Sequence, residues 1–227
     1  VNKIIPDAKV CRMDSDTMKK RGAHETILND FKNHKIDVIV GTQMIAKGFD
    51  FPKVTLVGVI SADANLNLPD FRAGERTFNL ITQVAGRAGR GDLGGEVIVQ
   101  TFSPEHYAVK FAAKHDYNSF YLKEIESRRE LGFPPFKSLI QITLRSRNEE
   151  LVIKNIEKLA SHILNKVPEF DILGPAPAPI EKVRGYYRWN LLLKGDKRSE
   201  LVSTLKNAIK GYRKSAGVIM AIDVDPN

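Results

Sequence analysis

The chain has 227 residues, 42% hydrophobic and 27% charged, which suits one large domain or two of ordinary size. Its formal charge of +8 favours an anionic partner, nucleic acid being the commonest; a merely soluble basic protein is the plainer alternative. A single cysteine, Cys11, excludes an intrachain disulfide and a cysteine zinc cluster, and the five histidines lack metal-ligand spacing, so no metal site is expected. Without a signal-peptide pattern or an apolar run of membrane-spanning length, a cytoplasmic protein with no membrane partner is expected.

The first hundred residues alternate strands and helices. "AKVCRMD" (8–14) reads as a short strand, and "KKRGAHETILNDFKN" (19–33) as a helix with Ile27, Leu28 and Phe31 on one face. "DVIVG" (37–41) and "VTLVGVIS" (54–61) read as buried parallel strands. "RAGERTFNLITQVAG" (72–86) is helical, with Phe78, Ile81 and Ala85 in a stripe, and "GGEVIVQTF" (94–102) closes the series as a strand. The pattern predicts an α/β domain with a mostly parallel sheet over residues 1–103, whose ligands meet the loops at strand ends. Residues 104–136 predict a helical connector, stopped by the prolines of "GFPPF".

Residues 137–227 change rhythm. "SLIQITLRS" alternates, and "EELVIKNIEKLASHILNKV" sets Val152, Ile156, Leu159 and Ile163 on one stripe. "FDILGPAPAP" turns on its prolines, and "RGYYRWNLLLKG" reads as a strand. "SELVSTLKNAIKGYR" sets Leu201, Leu205, Ala208 and Tyr212 together, and "GVIMAIDVDP" alternates again. The order β-α-β-β-α-β predicts a smaller α+β, split-βαβ (ferredoxin-like) domain. It holds a formal excess of +6.

"QVAGRAGRG" (83–91) sets Arg87 and Arg90 three positions apart among small residues. Two planar, permanently charged forks on one helical face, with room for close approach, suit a phosphate. A solvated or salt-bridged pair is equally consistent. "PDFRAGER" (69–76) offers Asp70, Arg72, Glu75 and Arg76, which internal ion pairs explain as well as any ligand does. "EKVRGYYRWN" (181–190) interleaves Lys182, Arg184 and Arg188 with Tyr186, Tyr187 and Trp189, a mixture suited to single-stranded nucleic acid. Strand alternation divides it: Tyr187, Trp189 and Leu191 read as core if they face one way, leaving Tyr186 and Arg188 outside. "GDKRSE" (195–200) puts Lys197 and Arg198 at a helix start, as an anion anchor or a solvated turn.

"VIVGTQMIAKGFDFP" (38–52) and "QVAGRAGRG", in that order, resemble motifs V and VI of superfamily 2 helicases. With "PDFRAGER" and the later "GPAPAP…RGYYRW", nearly the whole chain resembles the primosomal replication-restart helicases. The resemblance implies a RecA-like second helicase lobe, incomplete at its start, followed by the family's terminal domain, within an ATP-dependent 3′-5′ DNA helicase. It implies that Arg87 and Arg90 reach the ATP γ-phosphate, that Gln83 orients them, and that Gly48 and Asp50 meet the nucleotide, Asp50 at the ribose or as a turn carboxylate. It places Thr42, Gln43 and Lys47 on the DNA backbone, with Lys47 solvated as the alternative. It further implies forked and single-stranded DNA, the acidic tail of the single-stranded DNA-binding protein SSB (at Lys197 and Arg198) and other primosome proteins as partners.

No GxxxxGK[ST] phosphate loop and no adjacent Asp-Glu pair occur in these residues. The resemblance implies ATP and Mg²⁺ for a longer protein and zinc for an upstream segment, and neither turnover nor a cofactor is expected of this piece alone. The rivals are a non-catalytic nucleic-acid-binding module on a motor-like scaffold, or another superfamily 2 DNA translocase.

Overall fold

Four-residue strands, each hydrogen-bonded to a single neighbour among the described residues, build the first part of the molecule. The computed structural model describes residues 1–14, 23–42, 54–86, 88 and 94–226. They divide into two units, Val1–Tyr121 and Leu122–Asn227.

In the first unit, β1 (Val10–Met13) pairs in parallel with β2 (Val38–Gly41), and α1 (Ala23–Lys32) falls between them in sequence. A second parallel pair joins β3 (Leu56–Val59) to β4 (Glu96–Val99). Between those two strands come α2 (Asp63–Leu66) and α3 (Ala73–Ala85). Among the described residues these are separate two-stranded sheets rather than one. The buried strands expected at 37–41 and 54–61 are only half-buried. The reason is local: α3 packs on β3 and β4, and their registered residues Val57, Val97, Val59 and Val99 turn inward. Leu56 and Ile98 point away and stay more than half exposed.

The apolar stripe of α3 finds its partners in α4 (Tyr107–Ala113) and the start of α5 (Tyr117–Leu131). Phe78 and Ile81 join Ala108, Val109, Ala112 and Phe120, and the Phe78 and Phe120 rings stack 4.1 Å apart. Asp63, in the short α2 that hydrophobic periodicity did not reveal, accepts hydrogen bonds from the Phe102 amide (2.9 Å) and the Thr101 hydroxyl (2.8 Å). It ties that helix to the chain leaving β4.

The second unit runs β5 (Ser138–Ser146), α6 (Glu149–Lys166), β6 (Asp171–Val183), β7 (Tyr186–Gly195), α7 (Arg198–Ala208) and β8 (Ile219–Val224). Its sheet has the order β6-β7-β5-β8, every neighbouring pair antiparallel. Alternation on β5 sends Ile140, Ile142 and Leu144 to one face, opposite Leu193, Leu191 and Trp189 of β7. Both helices cover that face. Val152, Ile156, Leu159 and Ile163 of α6, with Leu201, Leu205 and Ala208 of α7, complete the core. Asn148 starts α6 as its cap: its side-chain Oδ1 accepts from the Leu151 amide at 3.0 Å, with Glu149 and Glu150 in the favourable first turn.

The proline-rich "GPAPAP" stretch, expected as a turn, lies within the 13-residue strand β6. It survives because β6 is an edge strand, where a residue without an amide proton loses no ladder bond on its outer side. The register shifts twice, between Leu173 and Ala176 and between Pro177 and Lys182. Gly174 sits at the first shift with φ +98°, where a Cβ would meet the Asn190 carbonyl oxygen at 3.0 Å, so only glycine fits.

On the sheet face turned away from the helices, Lys194 lies at a closed end and is 9% exposed. It pairs with Asp171 (3.1 Å), donates to the Leu131 carbonyl (3.0 Å) and lies over the Phe133 ring. No described helix is long and apolar enough to cross a membrane.

Candidate nucleic-acid interface

The face of the β5–β7 pair turned away from the two helices carries the residues opposite in parity to the core; it is closed at one end, where Leu139 is 1% and Lys194 9% exposed, and open at the other. β5 contributes Leu139, Gln141, Thr143 and Arg145, in register with Lys194, Leu192, Asn190 and Arg188 of β7. The charge divides along the strands. Asp171 and Asp223 stand level with Lys194 and Gln141, at one end. The other end is arginine-rich. Arg145 and Arg188 are direct cross-strand neighbours. Arg147, two residues beyond Arg145, shares its side of the chain. The guanidiniums of Arg145 and Arg147 lie over the Tyr186 ring, 5.7 and 5.5 Å from its centroid. No carboxylate among the described residues forms an ion pair with Arg145, Arg147 or Arg188.

The basic-aromatic segment 181–190 therefore splits by parity. Tyr187 and Trp189 pack against the core beside Leu191, which is fully buried. Tyr186 and Arg188 are half-buried on the opposite face. Arg184 and Gly185 form the two-residue turn between β6 and β7, with φ +50° and +82°. Arg184 is exposed at its tip. Sequence reasoning missed Arg145 and Arg147, although the period-two "RSR" at the end of an alternating strand is the signal for them.

Lys197 and Arg198 sit at the start of α7 and line an open cavity of about 930 Å³ with Ser199, Val202, Ser203, Lys206 and Val224. Both already have acidic neighbours: Lys197 pairs with Glu200 at 3.0 Å, and Arg198 with Asp225 at 3.2 Å. The "PDFRAGER" charges are internal: Asp70 accepts from Arg72 (3.4 Å) and Arg76 (2.9 Å).

Thr42 lies just past the carboxyl end of β2 and is exposed. Gln83 is exposed in the last turn of α3, which closes with the Gly86 amide donating to the Thr82 carbonyl. Gln43, Lys47, Gly48, Asp50, Arg87 and Arg90 lie outside the described residues. Among the described residues no group of three or more His, Cys, Asp or Glu side chains could hold a metal ion.

Residues 2–92 match the helicase conserved C-terminal domain, and residues 129–227 match the primosomal protein N C-terminal domain. The class is thus a helicase-type C-terminal domain followed by a primosomal C-terminal domain. Replication restart protein PriA of Bacillus subtilis (strain 168) is 42% identical over 231 residues, covering 100% of this chain and 29% of its own length. The protein of that name from Synechocystis is 41% identical over 223 residues (98% and 27%), and that of Treponema pallidum 40% over 228 (100% and 34%). The chain belongs to the replication restart protein PriA family, and it spans roughly 30% of the length of these curated relatives. Among solved structures, a de novo designed protein, Foldit4, aligns over 40% of this chain and 98% of its own at 11% identity, with a TM-score of 0.32. That likeness is too slight to describe the fold.

Proposed function

We propose that this chain is the C-terminal part of an ATP-dependent 3′-5′ DNA helicase that restarts stalled replication forks and helps assemble the primosome. One observation carries the reading: a helicase C-terminal domain and a primosomal C-terminal domain follow one another on a single chain. In this account Arg87 and Arg90 stabilise charge on the transferring γ-phosphoryl group, which needs a fixed, non-titrating cation. Gln83 orients them, Gly48 admits close backbone approach, and Asp50 accepts from the ribose. Thr42, Gln43 and Lys47 hold the DNA backbone in the motor, and Arg184, Tyr186 and Arg188 contact DNA from the terminal sheet.

ATP and Mg²⁺ serve the full-length protein, and zinc its upstream segment. These 227 residues, without a phosphate loop, bind ATP negligibly and do not turn it over. Forked and single-stranded DNA, the SSB acidic tail (through Lys197 and Arg198) and other primosome proteins are its partners, in the cytoplasm. Residues 1–103 act as the RecA-like second lobe, 104–136 as a helical connector and 137–227 as a ferredoxin-like terminal domain. The β-α-β-β-α-β order and the sheet order β6-β7-β5-β8 support the last assignment.

The test is Arg87→Ala in the full-length enzyme. DNA-stimulated ATP hydrolysis should fall by roughly 10³–10⁵, with ATP affinity changed far less, and lysine should not rescue it. Turnover within about threefold of the unsubstituted enzyme would overturn the finger role.

A further inference from the structure

The Tyr186 ring cannot serve as an open stacking platform in the arrangement found. Where four-stranded sheets bind single strands by stacking, aromatic rings on the central strands lie free for the bases. Here Tyr186 is the sole aromatic residue that the two central strands present on the face turned away from the helices, and the guanidiniums of Arg145 and Arg147 occupy it. Arg145 is the penultimate residue of β5 and Arg147 follows the strand's end, and both guanidiniums reach the Tyr186 ring. Arg188 stands directly across from Arg145 on the neighbouring strand. Three guanidiniums, none ion-paired to a carboxylate among the described residues, share one end of the face. Asp171 and Asp223 stand at its other end, and Glu181 of β6 is exposed two residues before Val183, the partner of Tyr186. Like charges directly opposite one another destabilise a sheet, and an anion laid across them relieves the repulsion.

We propose that the open end of this sheet, Arg145, Arg147 and Arg188, binds the sugar-phosphate backbone of a single nucleic-acid strand. In this assignment Tyr186 is a positioning residue that holds two of the arginines, not a surface on which a base stacks. The inference rests on the DNA-binding reading above and makes it specific: the contact is to phosphates, and it is blind to bases.

The experiment measures fluorescence anisotropy of the 227-residue chain with three labelled probes, from low to physiological salt. The probes are a short oligothymidylate, an abasic oligomer of the same length, and a polyglutamate peptide of the same charge. The two oligomers should bind within about threefold of one another, since phosphates supply the affinity. Each of Arg145→Ala, Arg147→Ala and Arg188→Ala should flatten the log–log salt slope by roughly 0.7. Tyr186→Leu, a residue the strand tolerates, should weaken both oligomers equally, and Tyr186→Phe, which keeps the ring, should weaken neither. Oligothymidylate binding tenfold or more tighter than the abasic oligomer, or a Tyr186→Leu loss confined to oligothymidylate, would restore stacking and overturn the proposal. Polyglutamate binding as tightly as either oligomer would make the face a docking surface for acidic protein. If both oligomers bind and no arginine variant changes the slope, this assignment fails while the DNA-binding reading stands. If neither oligomer binds, both fail together.

Discussion

Arg145 of β5 and Arg188 of β7 are direct cross-strand neighbours, two like charges side by side at the open end of the terminal sheet. In an antiparallel pair such neighbours lie close enough to repel, and the fold carries that cost with no carboxylate among the described residues ion-paired to either. Replacing one of them by a neutral β-former, Arg188→Thr, should stabilise the domain by about 0.2–1 kcal/mol in urea denaturation. The same change should weaken binding to single-stranded DNA. A variant that loses stability would show that the two guanidiniums are held by contacts other than the ligand's.

The turn beside them repeats the conflict in the backbone. Val183 pairs with Tyr186, so Arg184 and Gly185 are the two residues of a hairpin turn in which both φ angles are positive. That geometry favours Asn-Gly, and an unbranched long side chain in the left-handed region costs roughly 1–2 kcal/mol. Arg184→Asn should therefore raise the stability of the terminal domain by about 1 kcal/mol while reducing DNA affinity. Unfolding in denaturant checks the first effect, and a salt titration of binding checks the second.

What the sequence made legible follows from periodicity. The strand 138–146 and the helix 149–166 were readable because alternation and a 3.6-residue stripe are both strong, and Val152, Ile156, Leu159 and Ile163 are all fully buried. The division of Tyr187 and Trp189 from Tyr186 and Arg188 was readable for the same reason. The course of β6 was not, because proline marks a turn unless the strand is known to be an edge, and edges are set by tertiary order. The exposure of β2 and β3 was missed because an apolar run does not reveal how many sides of a strand are covered. The one-turn helix holding Asp63 is too short to carry a period. The motor-side candidates at 43–50 and at Arg87 and Arg90 rest on their motifs, since they lie outside the described residues.

Asp63 gives the first unit a pH dependence. Its carboxyl is held below the ordinary carboxylate range, chiefly by the hydrogen bond from the Phe102 amide, and further by the Thr101 hydroxyl against the opposing effect of burial. A carboxylate whose folded value lies below its unfolded one stabilises the fold above the unfolded value. That contribution is lost as pH falls through the folded value, so the window lies below about pH 4. Asp63→Asn should lower the melting temperature at neutral pH, and the gap from the unsubstituted chain should close on acidification through that window. A gap that stays constant to about pH 3 would show that the carboxylate charge contributes nothing.

Asn155 is a buried polar residue that ties two parts of the terminal domain together. It lies on the core side of α6, only 2% exposed, where an apolar residue would continue the stripe. Its Nδ2 donates to the Leu151 carbonyl (2.8 Å) and the Ser215 hydroxyl (3.2 Å), and its Oδ1 accepts from the Ser215 amide (2.9 Å). Its backbone carbonyl accepts from the Tyr212 hydroxyl at 2.9 Å. One side chain thus fixes the segment after α7 against α6 and sets up the approach to β8. Asn155→Ala leaves the Ser215 amide without its acceptor and opens a small cavity, and it should cost about 2–3 kcal/mol in urea denaturation. Asn155→Asp keeps the acceptor for that amide but adds a charge in a buried position and should be no better. Tyr212→Phe removes a single bond and should cost about 1 kcal/mol. The double variant Asn155→Ala with Tyr212→Phe should fall short of the sum, because both side chains hold the same stretch of chain to α6. Full additivity would show that the two bonds act independently and that Asn155 is not the anchor of that segment.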